Sequence, residues 1–185
     1  MSLVADILAI YESRGGSAYY GERVSMTEHG LQAAHFAQGE GALERLVLAA
    51  LLHDIGHLLE IQPDAIEEWT LDARHEESGA RWLSKHFEAA VYEPVRLHVP
   101  AKRYLCARDS GYFAHLSAAS VHTLKLQGGP MSADEVARFE AEPYWRDALR
   151  VRRWDDQGKV AGLKTPALHD YAPLIERVAL AHKAA

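Results

Sequence analysis

The sequence lacks most of the features that mark secreted, membrane-spanning and nucleic-acid-binding proteins. Its 185 residues include one cysteine, Cys106, so no internal disulfide can form, and this favours a reducing cytoplasm. The net charge is −6, whereas nucleic-acid binding requires a basic face. No signal peptide and no hydrophobic run long enough for a bilayer are visible. The sequence therefore predicts a cytoplasmic protein with no nucleic-acid or membrane partner, and it leaves the oligomeric state open.

Helical periodicity dominates the chain. Apolar residues recur at helical spacing over residues 3–14, and Gly15 and Gly16 are expected to end that helix. Thr27 is a candidate N-cap for a helix that runs to Gly39.

Proline, glycine and serine divide the second half of the chain. No repeat, low-complexity segment or interdomain linker is evident, so the sequence predicts a single all-α domain over residues 1–185. One helix is expected to begin at His75, and the next would have Pro94 in its first turn and end at a boundary at Pro100. Two more are expected over 102–107 and 112–127. The last three would begin at the Ser132–Glu135 capping box, run from Pro143 to Gly158, and start in the stretch bracketed by Pro166 and Pro173.

The chain is organised around residues 46–57, where seven apolar residues lead directly into His53 and Asp54. A helix that is apolar all round is a buried helix, so this stretch predicts a histidine and a carboxylate delivered to the protein interior. A buried carboxylate is costly unless it is paired or coordinates a metal. The alternative is a core histidine beside an exposed aspartate.

Further histidines and an aspartate lie in or beside the other predicted helices. Four imidazoles and two carboxylates would suit two transition-metal ions about 3.5–4 Å apart. Asp54 is the natural bridge, and the His75 and His98 side would keep open positions. Sequence spacing cannot establish this arrangement, because the residues are far apart in the chain. The candidate metal ligands are His29, His53, Asp54, His75, His98 and Asp155.

The stretches around these residues resemble a known enzyme family. Residues 28–32 and 48–57 resemble the HD-domain superfamily of metal-dependent phosphohydrolases. The similarity covers roughly residues 19–163, and segment 60–74 carries no motif. More closely, the chain resembles the phosphonate-cleaving HD-domain oxygenases, mixed-valence di-iron enzymes related to myo-inositol oxygenase. The matching stretches are 28–32, 48–57, 98–105, 126–131, 152–155 and 158–159, of which 101–105 and 127–131 are the most specific.

This resemblance implies a fold and a reaction. It implies an all-α HD-domain fold, two iron ions as Fe(II) and Fe(III), and a small organophosphonate and O2 as reactants. The expected reaction is oxidative cleavage of the carbon–phosphorus bond of a 2-amino-1-hydroxyethylphosphonate-type substrate, with or without N-methyl groups. Its products would be phosphate and glycine or an N-methylated glycine.

Several polar side chains are candidates for binding the phosphonate. Lys102 follows His98 by four residues and Arg152 precedes Asp155 by three, so each pair would share a helix face. A lysine offers a point charge and an arginine a bidentate grip. A solvated surface position is the alternative for each. A further stripe of donors suits an oxyanion: Ser120, Thr123 and Gln127.

Asp54, His57 and Lys102 form the expected catalytic set. His57 lies one turn after His53, a spacing that also occurs in zinc proteases. Position 54 is Asp rather than Glu, and Gly56 is a poor helix residue, which argues against that class. His57 is therefore expected to contact the substrate or to support a metal ligand.

Residues 19–23 are expected to form a loop over the site. By the resemblance, Glu22 faces the substrate amine and Tyr19 lies near iron. Aromatic faces bind quaternary ammonium groups, so Tyr19 and Tyr20 would favour a methylated amine. An ordinary surface loop is the alternative.

Two other functions remain open from the sequence. A metal-dependent phosphohydrolase would use the same ligands to activate water against a phosphate ester or nucleotide, and it would consume no O2. A catalytically inactive HD module would bind a phosphorylated or phosphonated ligand as a sensor.

Overall fold

The computed structural model describes residues 2–19, 22–59 and 74–180. Within these ranges the chain is helical, with one isolated antiparallel bridge between Ala18 and Ser25, which confirms the predicted all-α class. Over the same residues, no helix combines the length and apolar character that a bilayer span needs. The α-helices in chain order are α1 Leu3–Arg14, α2 Met26–Gly39, α3 Glu44–Leu52, α4 Ile55–Leu59, α5 His75–Leu83, α6 Ala89–Arg108, α7 Ala118–Leu126, α8 Ala133–Glu140, α9 Trp145–Gln157 and α10 Ala172–Val178.

Helix α3 lies at the centre of the main hydrophobic core. Its residues 46–52 are all buried, and it packs against α2, α6 and α9. A second, smaller cluster joins one end of α6 to α8, with Tyr104 against Phe139. Helix α6 contributes to both clusters, so it holds the two parts of the core together.

The predicted buried helix ends directly before the histidine and the aspartate that it leads into. Helix α3 ends at Leu52, His53 and Asp54 form a turn, and α4 begins at Ile55. Neighbouring residues on a continuous helix point about 100° apart. In this turn His53 and Asp54 nevertheless face the same site, since Nε2 of His53 lies 3.5 Å from Oδ2 of Asp54.

The two prolines of α6 do not mark helix ends as predicted. Pro94 and Pro100 both lie inside the helix Ala89–Arg108. Each interior proline costs about 3 kcal/mol or more because a helical hydrogen bond is lost. Val95, Leu97 and Leu105 bury their side chains along the same helix, and this burial offsets the cost.

Serine caps correct two other boundaries. Ser25, not Thr27, caps α2, and it forms a reciprocal capping box with Glu28. The predicted helix over 112–127 is divided into a 3₁₀ turn, Tyr112–His115, and α7, because Ser117 caps the nitrogen of Ser120. The predicted capping box at Ser132 and Glu135 is present at the start of α8.

Candidate metal centre and adjoining pocket

Six side chains that the sequence separates converge at one buried place in the fold. Helices α2, α5, α6 and α9 and the turn after α3 each supply at least one of them. All six are buried, with at most 8% of any residue exposed. They are His29 from α2, His53 and Asp54 from the turn, His75 from α5, His98 from α6 and Asp155 from α9.

One oxygen of Asp54 faces the first group of ligand atoms. Its Oδ2 lies 3.6 Å from His29 Nε2 and 3.5 Å from His53 Nε2. The two imidazole nitrogens are 3.0 Å apart, and Oδ1 of Asp155 lies 3.4 Å from His29 Nε2. Atoms that bind one ion at about 2.0–2.2 Å are about 3.0–3.5 Å from each other. The spacing therefore suits one shared ion.

The other oxygen of Asp54 faces the second group. Its Oδ1 lies 3.2 Å from His75 Nε2 and 3.4 Å from His98 Nε2, and these two nitrogens are 3.2 Å apart. Asp54 thus has one oxygen for each group, which is the geometry of a carboxylate that bridges two ions.

Main-chain carbonyls fix which ring nitrogen of three histidines can bind a metal. A carbonyl oxygen only accepts hydrogen bonds, so the Nδ1 atom that faces it carries the hydrogen. The neutral ring then presents the lone pair of Nε2 toward the centre. The pairs are His29 with Gly158 O at 2.9 Å, His53 with Ala50 O at 2.8 Å and His98 with Val95 O at 2.7 Å.

The buried carboxylate oxygens lack donors that would satisfy them. Among the described residues, neither oxygen of Asp54 nor Oδ1 of Asp155 accepts a hydrogen bond of good geometry. Buried anions that face imidazole lone pairs are costly unless a cation lies between them. Imidazole and carboxylate ligands suit a transition metal, so the residues fit a metal site.

The electrostatics hold two of the carboxylates and one of the imidazoles in the protonation states that metals require. Burial raises the pKa of Asp54, but interactions with the surrounding histidines, among them His75 and His98, outweigh it and hold the pKa well below its usual range. Burial also raises the pKa of Asp155, and Arg152 reverses that effect. Burial lowers the pKa of His53 to about 4. At neutral pH the carboxylates are therefore anionic and His53 is neutral.

A pocket of about 430 Å³, its open mouth included, adjoins the candidate metal centre. Lys102 Nζ donates to Thr123 Oγ1 at 2.8 Å, and Lys159 Nζ lies 3.3 Å from Ser120 Oγ. Two ammonium groups beside two hydroxyls suit a tetrahedral oxyanion. The predicted substrate-binding residues that line this pocket are Tyr19, His57, Lys102, Ser120, Thr123, Gln127 and Arg152.

Arg152 lines the pocket, but its donors are already directed to other groups. Nη1 binds Asp155 Oδ2 at 2.7 Å, and Nη2 is paired with Asp156. Nε donates to the Tyr112 hydroxyl at 2.9 Å, and Nη2 lies 3.4 Å from Ser120 Oγ. Arg152 thus holds a candidate metal ligand, and its bidentate contact with a phosphonate stays a prediction.

The N-terminal loop lies over the centre. The Tyr19 ring stacks on His29 with centroids 3.9 Å apart. Oε1 of Glu22 lies 3.6 Å from Lys159 Nζ, and that nitrogen is 5.7 Å from the Tyr19 ring centroid. On the other side of the pocket, His57 stacks on His75 at 3.8 Å. Tyr20 and residues 60–73 lie outside the described residues.

The sequence reasoning missed four residues that contact this site. Asp156 follows Arg152 by four residues, so helical spacing alone would have paired them. Lys159 lies in the stretch 158–159, which the resemblance included without a role. Tyr112 gave no signal in the sequence, and Glu76 follows the ligand His75 directly.

Comparison with known proteins gives a family and three relatives. Residues 15–127 match the model of the HD domain. A [1-hydroxy-2-(trimethylamino)ethyl]phosphonate dioxygenase (glycine-betaine-forming) of Leisingera caerulea is 44% identical over 184 residues, covering 100% of this chain and 94% of the relative. A hydroxymethylphosphonate dioxygenase of Gimesia maris is 47% identical over 162 residues, covering 87% and 81%. An uncharacterized protein, L432, of Acanthamoeba polyphaga mimivirus is 38% identical over 174 residues, covering 93% and 80%.

Proposed function

The chain belongs to the HD-domain family and, through relatives that match most of its length, to the phosphonate dioxygenases within it, and from this premise we propose an O2-dependent di-iron oxygenase. The proposed reaction cleaves the carbon–phosphorus bond of a 2-amino-1-hydroxyethylphosphonate-type substrate. The carbon that carries the hydroxyl is oxidised to a carboxyl group, O2 is reduced, and phosphorus leaves as inorganic phosphate. The second product is glycine or an N-methylated glycine.

The observation that carries the proposal is the position of Asp54. Each of its oxygens faces a separate pair of imidazoles, and an anion-binding pocket opens beside the second pair. A substrate that offers an oxyanion and a neighbouring hydroxyl would place both groups where the second pair of imidazoles borders the pocket. This arrangement supports a two-metal centre that contacts the substrate directly.

The proposed iron ligands fall into two sets. His29, His53 and Asp155 would hold one ion and His75 and His98 the other, with Asp54 shared. When bound, an Fe(II)/Fe(III) pair would supply chelation of the substrate oxygens and the activation of O2. His75 and His98 line the pocket, so an ion held by the second set would face a substrate bound there.

The residues of the pocket orient the substrate. Lys102 and Thr123 would bind the phosphonate oxygens, with Ser120 and Gln127 as further donors. Tyr19 covers His29 and restricts the access of water from the loop side. No general base from the chain is required, since the redox chemistry belongs to the metals.

We propose that Glu22 faces the cationic group of the substrate, as the resemblance implies. Among the described residues, its buried Oε1 accepts no hydrogen bond, and Lys159 at 3.6 Å balances its charge. The two named dioxygenase relatives differ here, because one carries a trimethylamino group in its name and the other acts on hydroxymethylphosphonate. We therefore propose an aminohydroxyphosphonate as the substrate class and leave its methylation state to experiment.

The test is iron loading under anaerobic conditions, followed by a hydroxyphosphonate and O2. The primary-amine, trimethylated and amine-free compounds are compared by phosphate release and O2 uptake, with iron-free protein as the control. We expect equal amounts of O2 consumed and phosphate released with at least one aminohydroxyphosphonate. Phosphate release from a phosphate ester without O2 uptake would establish the alternative, an HD-type phosphohydrolase.

A further inference from the structure

The four candidate ligand histidines are not supported in the same way. His29, His53 and His98 each direct Nδ1 at a main-chain carbonyl within 2.9 Å. Among the described residues, Nδ1 of His75 has no such carbonyl partner, and Oε2 of Glu76 lies 3.6 Å from it. One of the two proposed metal sites therefore has a full negative charge behind one of its imidazoles.

Glu76 is an unusual carboxylate for this position in a helix. Only 6% of the residue is exposed, and among the described residues its Oε2 accepts no hydrogen bond. A glutamate in the first turn of α5 is favoured by the helix dipole. The neighbouring Glu77 is exposed in the same first turn and provides that benefit without burial. The dipole therefore does not account for a buried Glu76.

The backbone and ring of His75 are fixed by other contacts. A Cβ at Gly56 would lie 1.9 Å from the His75 carbonyl oxygen, so α4 packs directly on this residue. The His57 ring stacks on the His75 ring at 3.8 Å. These contacts set the plane of the imidazole. The carboxylate of Glu76 is the charged group beside its Nδ1, at 3.6 Å.

We propose that Glu76 is a positioning residue whose carboxylate accepts the Nδ1 hydrogen of His75 when Nε2 binds a metal ion. A change in separation of less than about 1 Å brings the 3.6 Å pair to hydrogen-bond distance. The carboxylate makes the imidazole a stronger donor to the metal. The inference rests on the proposed two-metal centre and predicts that the ion on the His75 and His98 side is held more tightly and is harder to reduce.

The test compares substitutions of Glu76 with a matched substitution next to it. Glu76→Gln removes the charge and keeps an acceptor, whereas Glu76→Leu removes both. Glu77→Gln removes the same charge from an exposed position one residue away. Metal binding is measured by competition of a chelator for Co(II) and for Fe(II) without oxygen, and the reduction potential of the iron-loaded protein is measured by redox titration.

We expect Glu76→Leu to lose affinity for one of the two ions by about 10–100-fold, the usual effect of removing a group that supports a metal ligand. Glu76→Gln should lose less and should shift the reduction potential to more positive values. Glu77→Gln should match the wild type. Wild-type affinity and potential in Glu76→Gln, or an equal loss in Glu77→Gln, would overturn the proposal. Because the readout is metal binding, the result does not depend on which substrate the enzyme cleaves.

Discussion

Asp54 has the largest expected effect of any single residue, because both proposed metal sites depend on it. Its two oxygens face different imidazole pairs, whereas Asp155 approaches only the His29 and His53 group. The two aspartates therefore provide a paired experiment in which the same chemical deletion should have different consequences.

We predict that Asp54→Ala loses both metal ions and all activity, while Asp155→Ala loses the ion on the His29 side and retains the other. The measurement is metal content per chain after loading and removal of free metal. Two bound ions in Asp54→Ala would contradict the bridging assignment.

Lys102 makes phosphonate binding dependent on pH. Burial, with repulsion from Arg152, lowers its pKa to about 7. The side chain is cationic below this value and neutral above it, so affinity for a phosphonate should fall as pH rises through and above about 7. A hydrogen bond to a charged group contributes about 1.5–3 kcal/mol, or roughly a ten- to a hundred-fold change in affinity.

Lys102→Arg is the control for this prediction, since a guanidinium stays charged over the whole range. Binding of a phosphonate is measured by calorimetry without O2 between pH 6 and 9. The same pH dependence in wild type and Lys102→Arg would assign the titration to another group.

Glu22 and Lys159 should set the preference for an amine. Their charges lie 3.6 Å apart, and Lys159 lines the pocket. Glu22→Gln should lower kcat/KM for the primary and the trimethylated amine and leave hydroxymethylphosphonate less affected. Lys159→Met leaves the Glu22 carboxylate without its paired charge. The ratio of kcat/KM for the cationic substrates to kcat/KM for hydroxymethylphosphonate should therefore rise. An unchanged ratio in both variants would place the ammonium group elsewhere.

Of the secondary-structure elements, the break between α3 and α4 matters most for the geometry of the site. It turns His53 and Asp54 toward one centre and brings α4 against α5. Gly56 permits this contact, since any side chain at this position would meet the His75 carbonyl. The same glycine that weakens α4 as a helix therefore allows two ligand-bearing segments to approach.

We predict that Gly56→Ala destabilises the protein by roughly 1–3 kcal/mol or more through overpacking and weakens metal binding through displacement of His75. Gly39→Ala is the control, because a Cβ there meets no atom within 4 Å. Chemical denaturation and metal titration of both variants provide the measurements. Wild-type stability in Gly56→Ala would show that α4 and α5 can separate at little cost.

The whole molecule should be stabilised by its metals, because the ligands connect distant parts of the fold. Helices α2, α5, α6 and α9 and the turn after α3 meet at the centre. A ligand at 100 to 1,000 times its dissociation constant stabilises the folded state by about 2.7–4.1 kcal/mol. For a protein of this size that corresponds to a rise in Tm of roughly 5–15 °C.

We therefore predict that removal of metal by a chelator lowers Tm by that amount and that metal addition restores it. Asp54→Ala serves as the control and should show almost no response to metal. Equal responses in wild type and Asp54→Ala would mean that the stabilising metal binds at another place. Calorimetric melting in the presence and absence of metal provides the measurement.

The amino-acid sequence by itself determined the helical class, because hydrophobic periodicity and capping residues are local properties. The capping box at Ser132 and the buried run at 46–52 are of this kind, and both are present in the structure. The resemblance of residues 98–105 and 126–131 to phosphonate-cleaving oxygenases indicated the chemistry. In the proposed function these stretches supply the candidate metal ligand His98 and the phosphonate donors Lys102 and Gln127.

Only the tertiary structure decided where helices end and which groups share a site. Pro94 and Pro100 remain inside α6 because burial along both hydrophobic clusters outweighs a local preference. Asp54 faces two groups of ligands because α2, α5 and α6 bring their histidines to the turn after Leu52. Neighbouring residues on a helix are not expected to face each other, so only the structure shows that Oε2 of Glu76 lies 3.6 Å from Nδ1 of His75. Long-range packing therefore completed a site whose ligands the sequence had already supplied.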